Sequence, residues 1–217
     1  LYLMQGEFNY YNPDLELVQD ESYGTYEKVS DDPLTVKYTI DDDMKWSDGT
    51  PVDAADMLLQ WAALSGAVNT VAGDEVERDP ETGAPAESAG GQVFFDGQTP
   101  GMSLVSETPE IGDDNKSMTL VYDKPFADWE VAFGMGVPGH ATAMKALNIS
   151  DPQEAKDALI TAIQEKDEEA LSKVASFWNS GYDYTKLPKD KDLYLSNGAY
   201  VMTDLVAQLE VWERDGR

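Results

Sequence analysis

The sequence predicts an α+β fold: a mixed, mainly antiparallel sheet with helices packed beside it. Three observations carry that expectation. Leu34, Val36, Tyr38 and Ile40 alternate with Thr35, Lys37 and Thr39, the period of a strand with one buried face. Met118, Leu120 and Tyr122 alternate with Ser117, Thr119 and Val121 in the same way. Apolar residues then recur at helical spacing over 57–64, 155–163 and 171–178, each run following a carboxylate suited to capping.

Taken in order, residues 1–30 are rich in Tyr and Asn, and Phe8 to Asp14 reads as a loop. The Leu34–Ile40 strand ends in Asp41-Asp42-Asp43. Neighbouring residues of an extended chain point in alternating directions, and the spaced ligand loop of a calcium site is missing, so this is a solvated strand end. Next comes Lys45-Trp46-Ser47-Asp48-Gly49-Thr50-Pro51-Val52-Asp53-Ala54-Ala55-Asp56. Asp48 can bond back to its own backbone and Gly49 accepts positive φ, so the segment turns tightly into a helix. Two helix starts compete. In one, Asp53 caps the helix and Asp56 stands at its third position. In the other, Thr50 caps it and Pro51 is the first helical residue. Trp46 and Trp61 are expected to pack at this corner.

Residues 66–101 are acidic, turn-rich and without period, and read as a long surface insertion with a short strand over Gln92–Asp96. Gly112 to Lys116 has hairpin chemistry, expected to pair the 117–122 strand with Leu104-Val105. Gly134, Gly136, Pro138 and Gly139 break regular structure without forming a phosphate loop, because the Walker ending and the dinucleotide spacing are both missing. His140 then opens a helix through Leu147. Asp151-Pro152-Gln153-Glu154 starts another, whose stripe is Ala155, Ala158, Leu159, Ala162 and Ile163. Asp167 caps a third, with Leu171, Val174, Ala175 and Trp178 inward and Asn179-Ser180-Gly181 as its end.

Composition narrows the function. An apolar fraction of 41% over 217 residues can build a core. The formal charge of −27, from 15 basic against 42 acidic residues, leaves no cationic face for nucleic acid and disfavours anionic membrane surfaces. Without cysteine there is no thiolate chemistry, and His140 is the single imidazole. No Gly-x-Ser-x-Gly elbow occurs, so neither catalysis nor a metal or cofactor is expected. The chain opens mid-pattern on Leu1 and stops at Arg217. We expect a partial chain of a longer exported protein, its signal and lipid-anchor cysteine lying outside these residues.

Asp31-Asp32-Pro33-Leu34-Thr35-Val36-Lys37-Tyr38-Thr39-Ile40, followed by the Lys45–Asp56 stretch, resembles the signature of family 5 extracellular solute-binding proteins. These are the peptide-, oligopeptide- and nickel-binding receptors of ABC importers. Lys124-Pro125-Phe126 after a strand resembles the same pattern. So does Asn197-Gly198-Ala199-Tyr200 with a following strand and Leu209 to Arg214, although Arg214-Asp215 stands where the family has an Arg-Asn-like pair.

The resemblance implies a periplasmic-binding-protein type II-like fold, with a small lobe over 1–137 and the incomplete start of a main lobe over 138–217. It implies a peptide or other small solute as ligand, a membrane permease as partner, and a place on the outer face of the cell membrane or in the periplasm. Where the family approaches its cleft lie Phe133, Met135, Gly136 and Val137, and the turn at Asn197 and Gly198. Trp46, Asp48, Gly49, Pro51, Asp56 and Tyr200 are structural members of the motifs. With a lobe incomplete, the chain alone is expected to bind no peptide usefully, and its 196–217 strands to pair with a second copy through an open edge. A stand-alone acidic extracellular interaction domain is the alternative.

Overall fold

The computed structural model describes residues 7–46, 48–78, 80–81, 83, 85, 91–134 and 136–181. The expectations for Met135, for the Asn197-Gly198-Ala199-Tyr200 turn and for the 196–217 strands lie outside these residues.

The α+β expectation holds, and every described strand pairing is antiparallel. β1 (Asn9–Tyr11) and β2 (Leu17–Gln19) form a two-stranded sheet. β3 (Gly24–Asp31), β4 (Leu34–Ile40), β5 (Glu110–Ile111) and β6 (Ser117–Val121) form a second, ordered β3-β4-β6-β5. Among the described residues four α-helices accompany them: α1 (Ala54–Ser65), α2 (Gly139–Leu147), α3 (Pro152–Glu165) and α4 (Glu168–Gly181).

Strand β4 sits centrally and behaves as its alternation requires. Leu34, Val36, Tyr38 and Ile40 are buried, while Thr35, Lys37 and Thr39 are only half-covered. The buried face meets α1, and α1 meets α2 and α3 on its other sides. One hydrophobic core therefore runs from Val36, Tyr38 and Leu120 through Met57, Leu58 and Trp61 to Leu159, Ile163 and Val174, continuous across positions 137 and 138.

Several local expectations are corrected. The predicted loop over Phe8–Asp14 is half of a hairpin, because Asn12 organises the turn: its Oδ1 accepts from the backbone N–H groups of Asp14 (3.0 Å) and Glu16 (2.9 Å). The partner of β6 is Glu110–Ile111 and not Leu104-Val105. The Asp114 carboxylate, accepting from Lys116 N and Ser117 N, closes the shorter turn, while 102–104 forms a 3₁₀ turn. Gln92–Asp96 is no strand either. Its backbone is held by side chains instead: Val93 N donates to Thr70 Oγ1 (2.9 Å) and Phe95 N to Asn69 Oδ1 (2.8 Å). Both inner arms of the 66–101 insertion are packed down, with Val68, Val93 and Phe95 buried. Gly139 does not interrupt structure but is the first residue of α2.

Candidate functional site

The Lys45–Asp56 corner folds as its turn residues demand. Thr50 N donates to Asp48 Oδ1 (2.9 Å) and Gly49 N to Trp46 O (2.8 Å), and Gly49 takes φ +90°. An antiparallel bridge between Lys45 and Pro51 closes the loop. The competition between helix starts resolves in favour of Asp53. Its Oδ1 accepts from Ala55 N (3.0 Å), and Asp56 Oδ2 reaches back to Asp53 N (2.9 Å), a reciprocal capping box built from two aspartates.

Asp56 does more than cap. Its Oδ1 also accepts from the Trp46 indole N–H (3.1 Å) and from the backbone N–H of Gly139 (2.6 Å). A single carboxylate thus receives the turn, the start of α1 and the start of α2, where two helix N-termini favour negative charge. Gly139 suits this close crossing: a Cβ there would stand a tight 3.1 Å from Ala55 O and 3.2 Å from Asp56 Oδ1.

Beneath the corner lies a charge that the sequence reading overlooked. Lys156 of α3 is 1% exposed, its Nζ 2.8 Å from Asp53 Oδ2 and 3.9 Å from Asp56 Oδ2, and it also donates to Pro51 O. The signal was present in the spacing, because Lys156 shares the helical face of Leu159 and Ile163. His140, fully buried at the start of α2, sets its Nε2 3.0 Å from Asp48 Oδ2 with the Trp46 ring 6.4 Å away.

Burial dominates the titration of Asp56 and His140. Asp56 is pushed up to about 6 by desolvation, helped by the neighbouring Asp53 charge and opposed by Lys156 and by its hydrogen bonds. His140 is pushed below its ordinary value by desolvation, which outweighs the pull of Asp48. The Trp46, Asp48, Gly49, Pro51 and Asp56 group is therefore brought together as one structural unit. Trp61 is engaged elsewhere, donating its indole N–H to Val105 O (2.9 Å).

The crossing just before α2 holds the predicted contact residues. Phe133 is 2% exposed, its ring 4.9 Å from that of Tyr38 and 6.4 Å from that of Phe8, so its side chain belongs to the aromatic core. Gly136 lies against the Gln60 carboxamide of α1, and Val137 packs half-buried on the core. Among the described residues no group of three or more His, Cys, Asp or Glu side chains could hold a metal ion, and no helix is long and apolar enough to cross a membrane.

No family model matches the chain. An uncharacterized lipoprotein of Mycobacterium leprae is 28% identical over 195 residues, which is 89% of this chain and 29% of that protein. An uncharacterized lipoprotein of Mycobacterium tuberculosis is 46% identical over 59 residues, 27% of this chain and 11% of its own length. The chain thus spans less than a third of these relatives. Among solved structures, a periplasmic EDTA-binding protein, EppA, is similar with a TM-score of 0.45 and 21% identity, over 71% of this chain and 24% of that one.

Proposed function

We propose that the protein is a solute-capturing receptor of the bacterial cell envelope, serving an ABC importer and taking peptides or solutes of similar chemistry. The observation that carries this reading is the Asp56 junction. The Lys45–Asp56 motif, whose sequence resembles that of the solute-binding family, fastens its carboxylate to the first amide of α2. It thereby holds the first residue of α2 against the start of α1. A motif that holds a backbone segment in place suits a receptor for peptides, whose main chain is constant while the side chains vary.

In this reading the backbone of Phe133, Met135, Gly136 and Val137, with the Asn197-Gly198 turn, lines one wall of the cleft. We place α2, α3 and α4 in the same lobe as the sheet, a division that the continuous core supports. The lipoprotein relatives support a position at the outer face of the membrane, where a permease would be the partner. In this reading the role is binding: His140 is fully buried at the start of α2, and its partner Asp48, 38% exposed, serves the turn.

Native mass spectrometry of the protein taken from its own envelope, without refolding, tests this. A bound solute released on denaturation is expected. A folded preparation that carries none, and takes up none from a mixed oligopeptide library, overturns the reading.

A further inference from the structure

The two arms of the 66–101 segment enclose a cleft of about 840 Å³, lined among others by Asn69, Thr70, Glu75, Phe94 and Asp96. Arg78, the sole arginine among the described residues, crosses it. Its Nη1 and Nη2 stand 2.7 and 2.8 Å from the two Asp96 oxygens, in fork-to-fork geometry. Nη1 also donates to Gly83 O (3.0 Å), and the guanidinium carbon lies 5.9 Å from the centre of the Phe94 ring.

The Asp96 side of this contact is anchored on α4. Phe94 and Asp96 are fixed from behind: Asn179 of α4 accepts from Asp96 N (3.0 Å) and donates to Phe94 O (2.7 Å). Phe95 between them is 1% exposed and packs edge-on against Trp178 at 6.0 Å. Arg78 comes from the other arm, bridged to Pro85, and its side chain is 38% exposed against 35% for that of Asp96. A rigid carboxylate fork beside an aromatic face is the arrangement that recognises a guanidinium in preference to an ammonium. A chain of formal charge −27 draws cations towards it.

We infer that Phe94 and Asp96 form a subsite for a guanidinium group of the captured solute, an arginine-bearing peptide, and that Arg78 occupies it as an internal stand-in until the solute displaces it. The inference rests on the receptor reading only for the origin of the ligand. The subsite itself is complete within the described residues.

Calorimetry of the 217-residue chain at low salt, with tri-arginine amide as probe, tests it. Arg78→Gln vacates the fork and is expected to bind the probe about tenfold more tightly than wild type, since an internal competitor reduces apparent affinity by the fraction of open sites. Adding Asp96→Asn should remove that gain, and tri-lysine amide should show little of it. Arg78→Lys, which keeps the charge and loses the fork, should fall between wild type and Arg78→Gln and serves if the latter folds poorly. Equal binding by wild type and the Arg78 variants, or a gain that survives Asp96→Asn, overturns the inference in favour of diffuse attraction to an acidic surface. The two proposals fail separately. Uptake of tri-alanine amide by the envelope protein without a guanidinium effect sinks only the subsite, and a guanidinium effect in a protein that captures no solute sinks only the receptor.

Discussion

Three N–H groups from separate segments meet at the Asp56 carboxylate, yet burial still lifts it to about 6. An acid whose folded value lies above its unfolded one contributes stability that is fully present below the unfolded value and lost as pH rises through the folded one. Asp56→Asn is therefore expected to lose more stability, relative to wild type, at pH 4.5 than at pH 7.5. The two deficits should differ by roughly 2–3 kcal/mol, read by urea denaturation. His140 works in the opposite sense, because its value is lowered. Its contribution is present above the unfolded value and lost as pH falls, so the advantage of wild type over His140→Gln should shrink between pH 7 and pH 5. Lys156→Met leaves Asp53 and Asp56 buried without their cation, and should cost about 3–5 kcal/mol in the same assay. A near-neutral result would mean that water reaches the cluster.

At the scale of elements, the junctions matter more than the helices themselves. The reciprocal cap of Asp53 and Asp56 starts α1, and Gly139 lets α2 approach it within van der Waals contact. Gly139→Ala should separate the two helix starts and lower stability by about 1–2 kcal/mol, the usual cost of overpacking. The hairpin at β1 and β2 offers a change of opposite sign. Leu15 lies at its turn with φ +63° and 81% exposure, so its side chain gains little from burial while its backbone occupies the left-handed region. Leu15→Gly should stabilise by about 1 kcal/mol, measured as a rise in the urea midpoint; a fall would show that the exposed leucine makes a contact worth more than the strain.

For the whole molecule, charge is the dominant unbalanced term. A formal −27 sets neighbouring carboxylates against one another, and salt shortens the reach of that repulsion to about 8 Å at 0.15 M. The melting temperature should rise steadily from 10 to 500 mM sodium chloride. Insensitivity to salt would mean that the carboxylates are already compensated. Continuous packing from the sheet through α1 to α4 also predicts one cooperative transition and not two, which calorimetry can read.

The sequence by itself determined much of this architecture. The alternation at Leu34–Ile40, the Asp48-Gly49 turn and the carboxylate caps before α3 and α4 are local effects, set by residues within a few positions of one another. Its charge also argued against nucleic-acid binding, and it supplied the resemblance on which the receptor proposal rests. The structure settled the choice of Asp53 over Thr50 as the cap, and it alone brought Gly139, 83 positions away, onto the Asp56 carboxylate. It alone placed Lys156 beneath the corner and gave Phe133 to the aromatic core. The Arg78–Asp96 contact spans 18 positions of a segment without period. No pattern could announce it, because its partners are chosen by the packing of α4 and the arms and not by local spacing.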